Sequence, residues 1–234
     1  MRIFSAVSCA ELGLFAFIVA GCTPVYTADT HTTSTPRAQS FDASNLTSDR
    51  VAALGLVAPA NLQGFGPSLS HALITALTQV QPPIRAIPAY ETISIVNEHG
   101  QGLAQNYADL IARFATSGIL ERERLRLIGA ALGSRYLLLP GLAEFNQVVM
   151  DKYEISGLKL VRTRVTTLRL WLQLWDAQTG TILWESAGEV TAVTALLNAK
   201  RTVPVDELAE KLWFQMIQED LLGARTETRR FFDN

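Results

Sequence analysis

The stretch Thr166–Ser186, TTLRLWLQLWDAQTGTILWES, interleaves Leu168, Leu170, Leu172 and Leu174 with Arg169, Trp171, Gln173 and Trp175. Successive strand residues face opposite sides of a sheet, so a period of two specifies a strand and is incompatible with a helix. The residues Asp176 to Gly180 then supply turn chemistry, with Gly180 suited to a left-handed position, and Ile182, Leu183 and Trp184 begin a returning strand. The segment is a β-hairpin. Apolar side chains fall on both of its faces near the turn, which leaves two arrangements open. Helices cover both sides of the sheet, or a face carrying Trp171, Trp175 and Trp184 meets a partner protein.

The chain before this hairpin alternates strands with helices. Arg50–Pro59, RVAALGLVAP, is a short apolar run closed by proline and is expected as a buried first strand. Gly66–Val80 carries Pro67 in the first turn and spaces Leu69, Leu73, Ile74 and Leu77 at helical intervals. Ile84–Ala89 gives a second strand. A helix from about Tyr90 to Asn97 breaks at Gly100 and Gly102 and resumes with Leu103, Tyr107, Leu110, Ile111 and Phe114 on one face, ending at Gly118. A further helix from about Glu121 to Leu132 stops at Gly133, and a strand starts at Tyr136. After the hairpin, Val203–Gly223 reads as a long amphipathic helix, followed by a polar tail. The expected fold is therefore α/β, a single small mixed sheet packed with helices.

The N-terminal region has a different character. Arg2 precedes a nine-residue apolar stretch, Leu12 to Ala20, too short to span a bilayer but suited to a secretory signal. Val19-Ala20-Gly21-Cys22 resembles the bacterial lipobox, with cleavage between Gly21 and Cys22 and lipidation of the Cys22 thiol. An ordinary cleaved signal and a short buried helix are the alternatives. Several acyl chains of the palmitate kind, each contributing about 0.8 kcal/mol per buried methylene, would anchor the chain firmly to a membrane. Residues 23 to about 48 are rich in threonine and serine and poor in large apolar side chains, a composition expected to form a disordered tether. The division is then 1–21 signal peptide, 22–48 lipidated flexible tether, and 49–234 α/β interaction domain. Such a tether extends to about 85 Å. Thr23 after the lipidated cysteine favours the outer membrane, with the domain facing the periplasm.

Chemistry is poorly represented. There are three histidines (His31, His71, His99), and Cys9 and Cys22 are the two cysteines, both inside or bordering the signal. No nucleophile elbow, zinc-protease helix or phosphate loop occurs, and Pro67 removes an N–H donor from the one glycine-containing helix start. The expectation is no enzyme, no metal and no cofactor. With net charge −2 and no aromatic residues interleaved in a basic patch, nucleic acid is not an expected partner either. The segment LWDAQTGTILW has the outline of a propeller blade edge, but propellers repeat such units about every 40 residues and this chain holds one copy.

The order of elements, with GILERERLRLIGAALGSRYLLLPGLAEF leading into a hairpin containing DAQTGTILWES and a closing helix, resembles the envelope lipoprotein group that includes CsgG, LpoB and the N-terminal domain of TolB. That resemblance covers residues 49 to 222. It implies a lipid-anchored, non-catalytic interaction module that assists assembly or regulation of an envelope machine, such as a cell-wall synthase, through a protein partner of unknown identity. The alternative it implies is a subunit of a homo-oligomeric secretion channel or scaffold of the curli-secretion type. A lipid-facing strand pair is poorly served by Asn146–Thr167, which carries Asp151, Lys152, Glu154, Lys159, Arg162 and Arg164 on both strand parities; about 2–4 kcal/mol attends each basic side chain at a bilayer midplane. A charged, water-exposed hairpin is expected there instead, with Lys159, Arg162 and Arg164 available to an acidic partner.

Overall fold

The structure is a computed structural model that describes residues 26–154, 159–195 and 203–223; for residues 151–154, 159–162 and 195 it describes the backbone alone. Six strands form one sheet: β1 (Tyr26–Ser34), β2 (Val51–Ala53), β3 (Ala86–Ile87), β4 (Tyr136–Glu154), β5 (Lys159–Asp176) and β6 (Thr181–Ala195). Their spatial order is β1-β6-β5-β4-β2-β3. β2 runs parallel to β3 and β4, and the remaining pairs are antiparallel. The helices are α1 (Asn45–Ser48), α2 (Gly66–Gln79), α3 (Ala89–Glu98), α4 (Gln101–Ser117), α5 (Arg122–Leu132) and α6 (Val205–Gln215). A 3-10 turn (Ala60–Phe65) precedes α2, and a π-helical turn (Met216–Leu221) extends α6. No described helix is long and apolar enough to cross a membrane.

Two cores sandwich the sheet. On one face, Leu168, Leu170, Leu172 and Leu174 of β5 pack with Leu69, Leu73 and Leu77 of α2 and with Leu208, Leu212 and Trp213 of α6. On the other face, Leu137, Leu139 and Trp175 pack with Val96 of α3, Leu110 and Phe114 of α4, and Leu125 and Ile128 of α5. The helix ends follow the glycines: Gly118 and Gly133 close α4 and α5 with φ of 69° and 59°, a region that costs a side chain-bearing residue most. Of the two arrangements the hairpin left open, the first is found, because helices flank both faces of its lower half.

The three tryptophans do not share a face. Trp184 pairs with Leu174 and is buried at 1 % exposure in the α2/α6 core. Trp175 lies in the opposite core, and Trp171, half-buried beside it, packs its ring 5.7 Å from that of Phe114. The register shifts between Leu174 and Trp175, so that Trp175 stands opposite Ile182 and Leu183 is the extra residue of a bulge. A bulge of this kind re-aims the side chains beyond it.

Residues 26–48, expected as tether, are structured. β1 pairs with β6 over all nine of its residues, Tyr26 opposite Thr194 through Ser34 opposite Ser186. The chain then continues along β6, with Thr35 and Ala38 N–H donating to the carbonyls of Glu185 and Leu183. Phe41, Ala43 and Leu46 enter the α2/α6 core. The physical reason lies in threonine, which reads as polar in composition yet is β-branched and favours strands. Tyr26, Ala28, Thr30 and Thr32 alternate with exposed residues, a period of two. The Tyr26 hydroxyl donates to Glu207 of α6, and burial together with that carboxylate pushes its pKa up.

Candidate interaction surface

α3, α4 and α5 stand over β2, β3 and the lower ends of β4 and β5, and no described helix covers the rest of that sheet face. β4 loses its parallel neighbour after Leu138, except for a single bridge at Gly141, where Val57 N–H donates to Pro140 and Leu142 N–H to Val57. Above that point β4, β5, β6 and β1 form a four-stranded antiparallel wing. Its rows run straight across the strands: Glu144 beside Arg169, Arg169 beside Glu189, Glu189 beside His31.

This row is an alternating charge ladder. Arg169 Nη1 lies 2.8 Å from Glu144 Oε2, and its Nε lies 2.5 Å from Glu189 Oε2. The hydrogen bond from Arg169 is the main cause that holds the Glu189 carboxyl below its ordinary pKa, with further help from the charge of His31. The same contacts raise Arg169. The next rows outward are Asn146–Thr167–Thr191–Asp29 and Val148–Val165–Val193–Thr27. Val148, Met150 and Val193 are exposed at 42 %, 47 % and 36 %, so an aliphatic band crosses the wing where no described helix covers it. Below the ladder, Gln173 Nε2 donates to Glu185, and Trp175 Nε1 donates to Gln173 Oε1 at 3.1 Å.

Of the residues expected at a partner surface, Trp175 and Trp184 belong to the cores, and Trp171 forms the floor of the wing against Phe114. Arg164 is half-buried on β5, opposite Val149 and Thr194. The side chains of Lys159 and Arg162 lie outside the described residues, although backbone register sets Lys159 opposite Glu154 and Arg162 opposite Asp151. Gly21 and Cys22 also lie outside the described residues. The ladder of Glu144, Glu189 and His31 was not read from the sequence. Its members come together only through strand register, and the one visible signal was the alternation around Arg169.

A separate cleft of about 650 Å³ opens between the α5–β4 junction and the β5–β6 turn, with Asp49, Arg50, Arg126, Ser134, Arg135 and Gln178 at its walls. Its cations are largely engaged: Arg135 Nη2 lies 2.8 Å from buried Asp176, and Arg126 Nε lies 3.2 Å from Glu123. Among the described residues no cluster of His, Cys, Asp and Glu is placed to hold a metal ion.

The fold and wing define a single small mixed α/β domain with one sheet. No protein-family profile matches the chain, and no curated protein matches it by sequence. Among solved structures it is distantly similar to the PelC dodecamer from Paraburkholderia phytofirmans, at 14 % identity and TM-score 0.45 over 86 % of this chain and 100 % of that one. It is also similar to the lipoprotein GNA1162 from Neisseria meningitidis, at 15 % identity and TM-score 0.41 over 74 % of this chain and 98 % of that one. For the LpoB C-terminal domain from Salmonella enterica the values are 14 % and 0.34, over 61 % and 82 %.

Proposed function

We propose that this protein is a lipid-anchored, non-catalytic scaffold of the bacterial cell envelope that works by associating with copies of itself. The observation that carries the reading is the wing: four antiparallel strands with a face that no described helix covers, an ordered charge ladder and an exposed aliphatic band. Such a surface is built to be covered by protein. Cys22, in its lipobox setting, supplies the membrane attachment, placed at the outer membrane with the domain in the periplasm.

The test is extraction of the full-length protein from membranes in mild detergent, followed by light-scattering mass measurement. A species of several subunits containing only this chain is expected. A monomer recovered in stoichiometric complex with a different envelope protein would replace the scaffold by an adaptor for that partner, for instance a regulator of a cell-wall synthase. For the anchor, fatty-acid labelling is expected in the natural protein and not in Cys22→Ala; undiminished labelling of that variant would remove Cys22 from the account.

A further inference from the structure

The two outer strands of the wing both have open edges. The outer side of β1, Tyr26–Ser34, pairs with no strand among the described residues, and neither does the outer side of β4 from Ala143 to Glu154. Unpaired strand edges present a row of free N–H and C=O groups, and folded proteins normally shorten, charge or cover them. Here each edge is long and neither carries proline; the charges of the β4 edge, Glu144, Asp151, Lys152 and Glu154, sit toward its two ends and leave Phe145–Met150 uncharged.

The wing holds an even number of antiparallel strands, four, so its two outer strands run in opposite directions. If β1 of one copy lies against β4 of another, the joint is antiparallel and both copies point the same way. Such an arrangement lets copies anchored through the same residue to one membrane repeat side by side. The contact is also heterologous, one edge on a different edge, which generates rings or open chains rather than two-fold dimers.

The rows supply the complementarity that selects this occupant. At equal height across the wing, His31 on β1 stands level with Glu144 on β4, Asp29 with Asn146, and Thr27 with Val148. Brought edge to edge, an imidazole N–H donor meets a carboxylate, a carboxylate meets an amide donor, and a methyl-bearing threonine meets valine. All three pairs lie on the face that no described helix covers. The sequence Glu144–Arg169–Glu189–His31 would then repeat without placing like charges side by side.

We infer that copies of this chain join head to tail by antiparallel strand addition, the β1 edge of one on the Ala143–Met150 edge of the next, making the wings one continuous sheet. This rests on the self-association proposed above and names its surface. The test is cysteine crosslinking of the full-length protein in membranes. Cross-strand neighbours lie about 4.5–5.5 Å apart at Cα, within the reach of a disulfide. The Asp29→Cys/Asn146→Cys double variant should give, on mild oxidation, a ladder of dimers, trimers and larger species, and neither single variant should. Thr27→Cys/Val148→Cys, one row outward, gives a second opportunity if the first pair impairs folding; a ladder from either supports the contact. No ladder from either pair in a protein that still measures as a homo-oligomer would sink the edge contact and leave self-association standing. Dimers alone from Asp29→Cys would replace it with a two-fold β1–β1 contact. A monomer at every concentration would overturn both.

Discussion

The indole of Trp171 lies across Gly141, its cross-strand partner, so closely that a Cβ on that glycine would fall 1.8 Å from Trp171 Cε2. The strand therefore needs glycine at this point for the backbone to pass beneath the ring. Gly141→Ala is expected to push Trp171 off Phe114 and to destabilise the fold by about 1–3 kcal/mol or more, the usual range for overpacking. Thermal melting and tryptophan fluorescence check both consequences. Gly102→Ala, in a helix position with nothing within 4 Å, is the control and should be neutral or stabilising by up to about 1 kcal/mol.

Trp184 separates core from interface. Its ring is buried in the α2/α6 core and its Nε1 has no hydrogen-bond partner among the described residues. Trp184→Ala should cost about 3–5 kcal/mol, visible as a large fall in the denaturant midpoint. A variant that melted like the natural protein would return this residue to the surface.

Asp176 organises the turn that joins β5 to β6. Its Oδ1 accepts N–H bonds from Gln178 and Thr179 at 2.8 and 3.2 Å, while Oδ2 accepts from Arg135 Nε and Nη2 at 3.0 and 2.8 Å. The carboxylate is buried and Arg135 half-exposed, so removing the acid strands several donors at once. Asp176→Ala should lower stability by about 1–3 kcal/mol, read by chemical denaturation, and Arg135→Ala by less because solvent already screens the guanidinium.

The charge ladder gives a pH dependence. Because Arg169 lowers the pKa of Glu189 in the folded state, the stabilisation is fully present above the ordinary carboxylate pKa. It is lost as pH falls through the lowered folded value. Arg169→Gln should therefore reduce the melting temperature near neutral pH, and the gap to the natural protein should narrow as the solution is acidified. A gap that stays constant through the acid range would show that Glu189 does not respond to Arg169.

How much of this was legible follows from what each signal requires. The β5–β6 hairpin was readable because Leu168 to Trp175 alternate within one element, and the ends of α4 and α5 because Gly118 and Gly133 mark them locally. β1 was missed because Thr27, Thr30, Thr32 and Thr33 weigh as polar in a composition count, while their strand preference shows only when Tyr26 and Ala28 are placed in phase with them. The common face imagined for Trp171, Trp175 and Trp184 failed at the bulge beside Leu174, which no residue type announces. The Glu144–Arg169–Glu189–His31 row joins four strands through register, a tertiary property that one sequence does not print.

The docking of β1 changes the geometry of attachment. With the chain fixed to the sheet from Tyr26 onward, a lipid on Cys22 would be separated from the rigid body by three residues, at most about 14 Å of backbone. The long leash that composition suggests shrinks to a short stalk. Tyr26 stands at the height of Val149 on β4, and β4 runs on in the same direction to Glu154, another 17 Å or so at strand rise. If Cys22 carries the lipid, the far end of the β4–β5 hairpin and the point of attachment would lie on the same side of the domain, which would then stand on its anchor like a post.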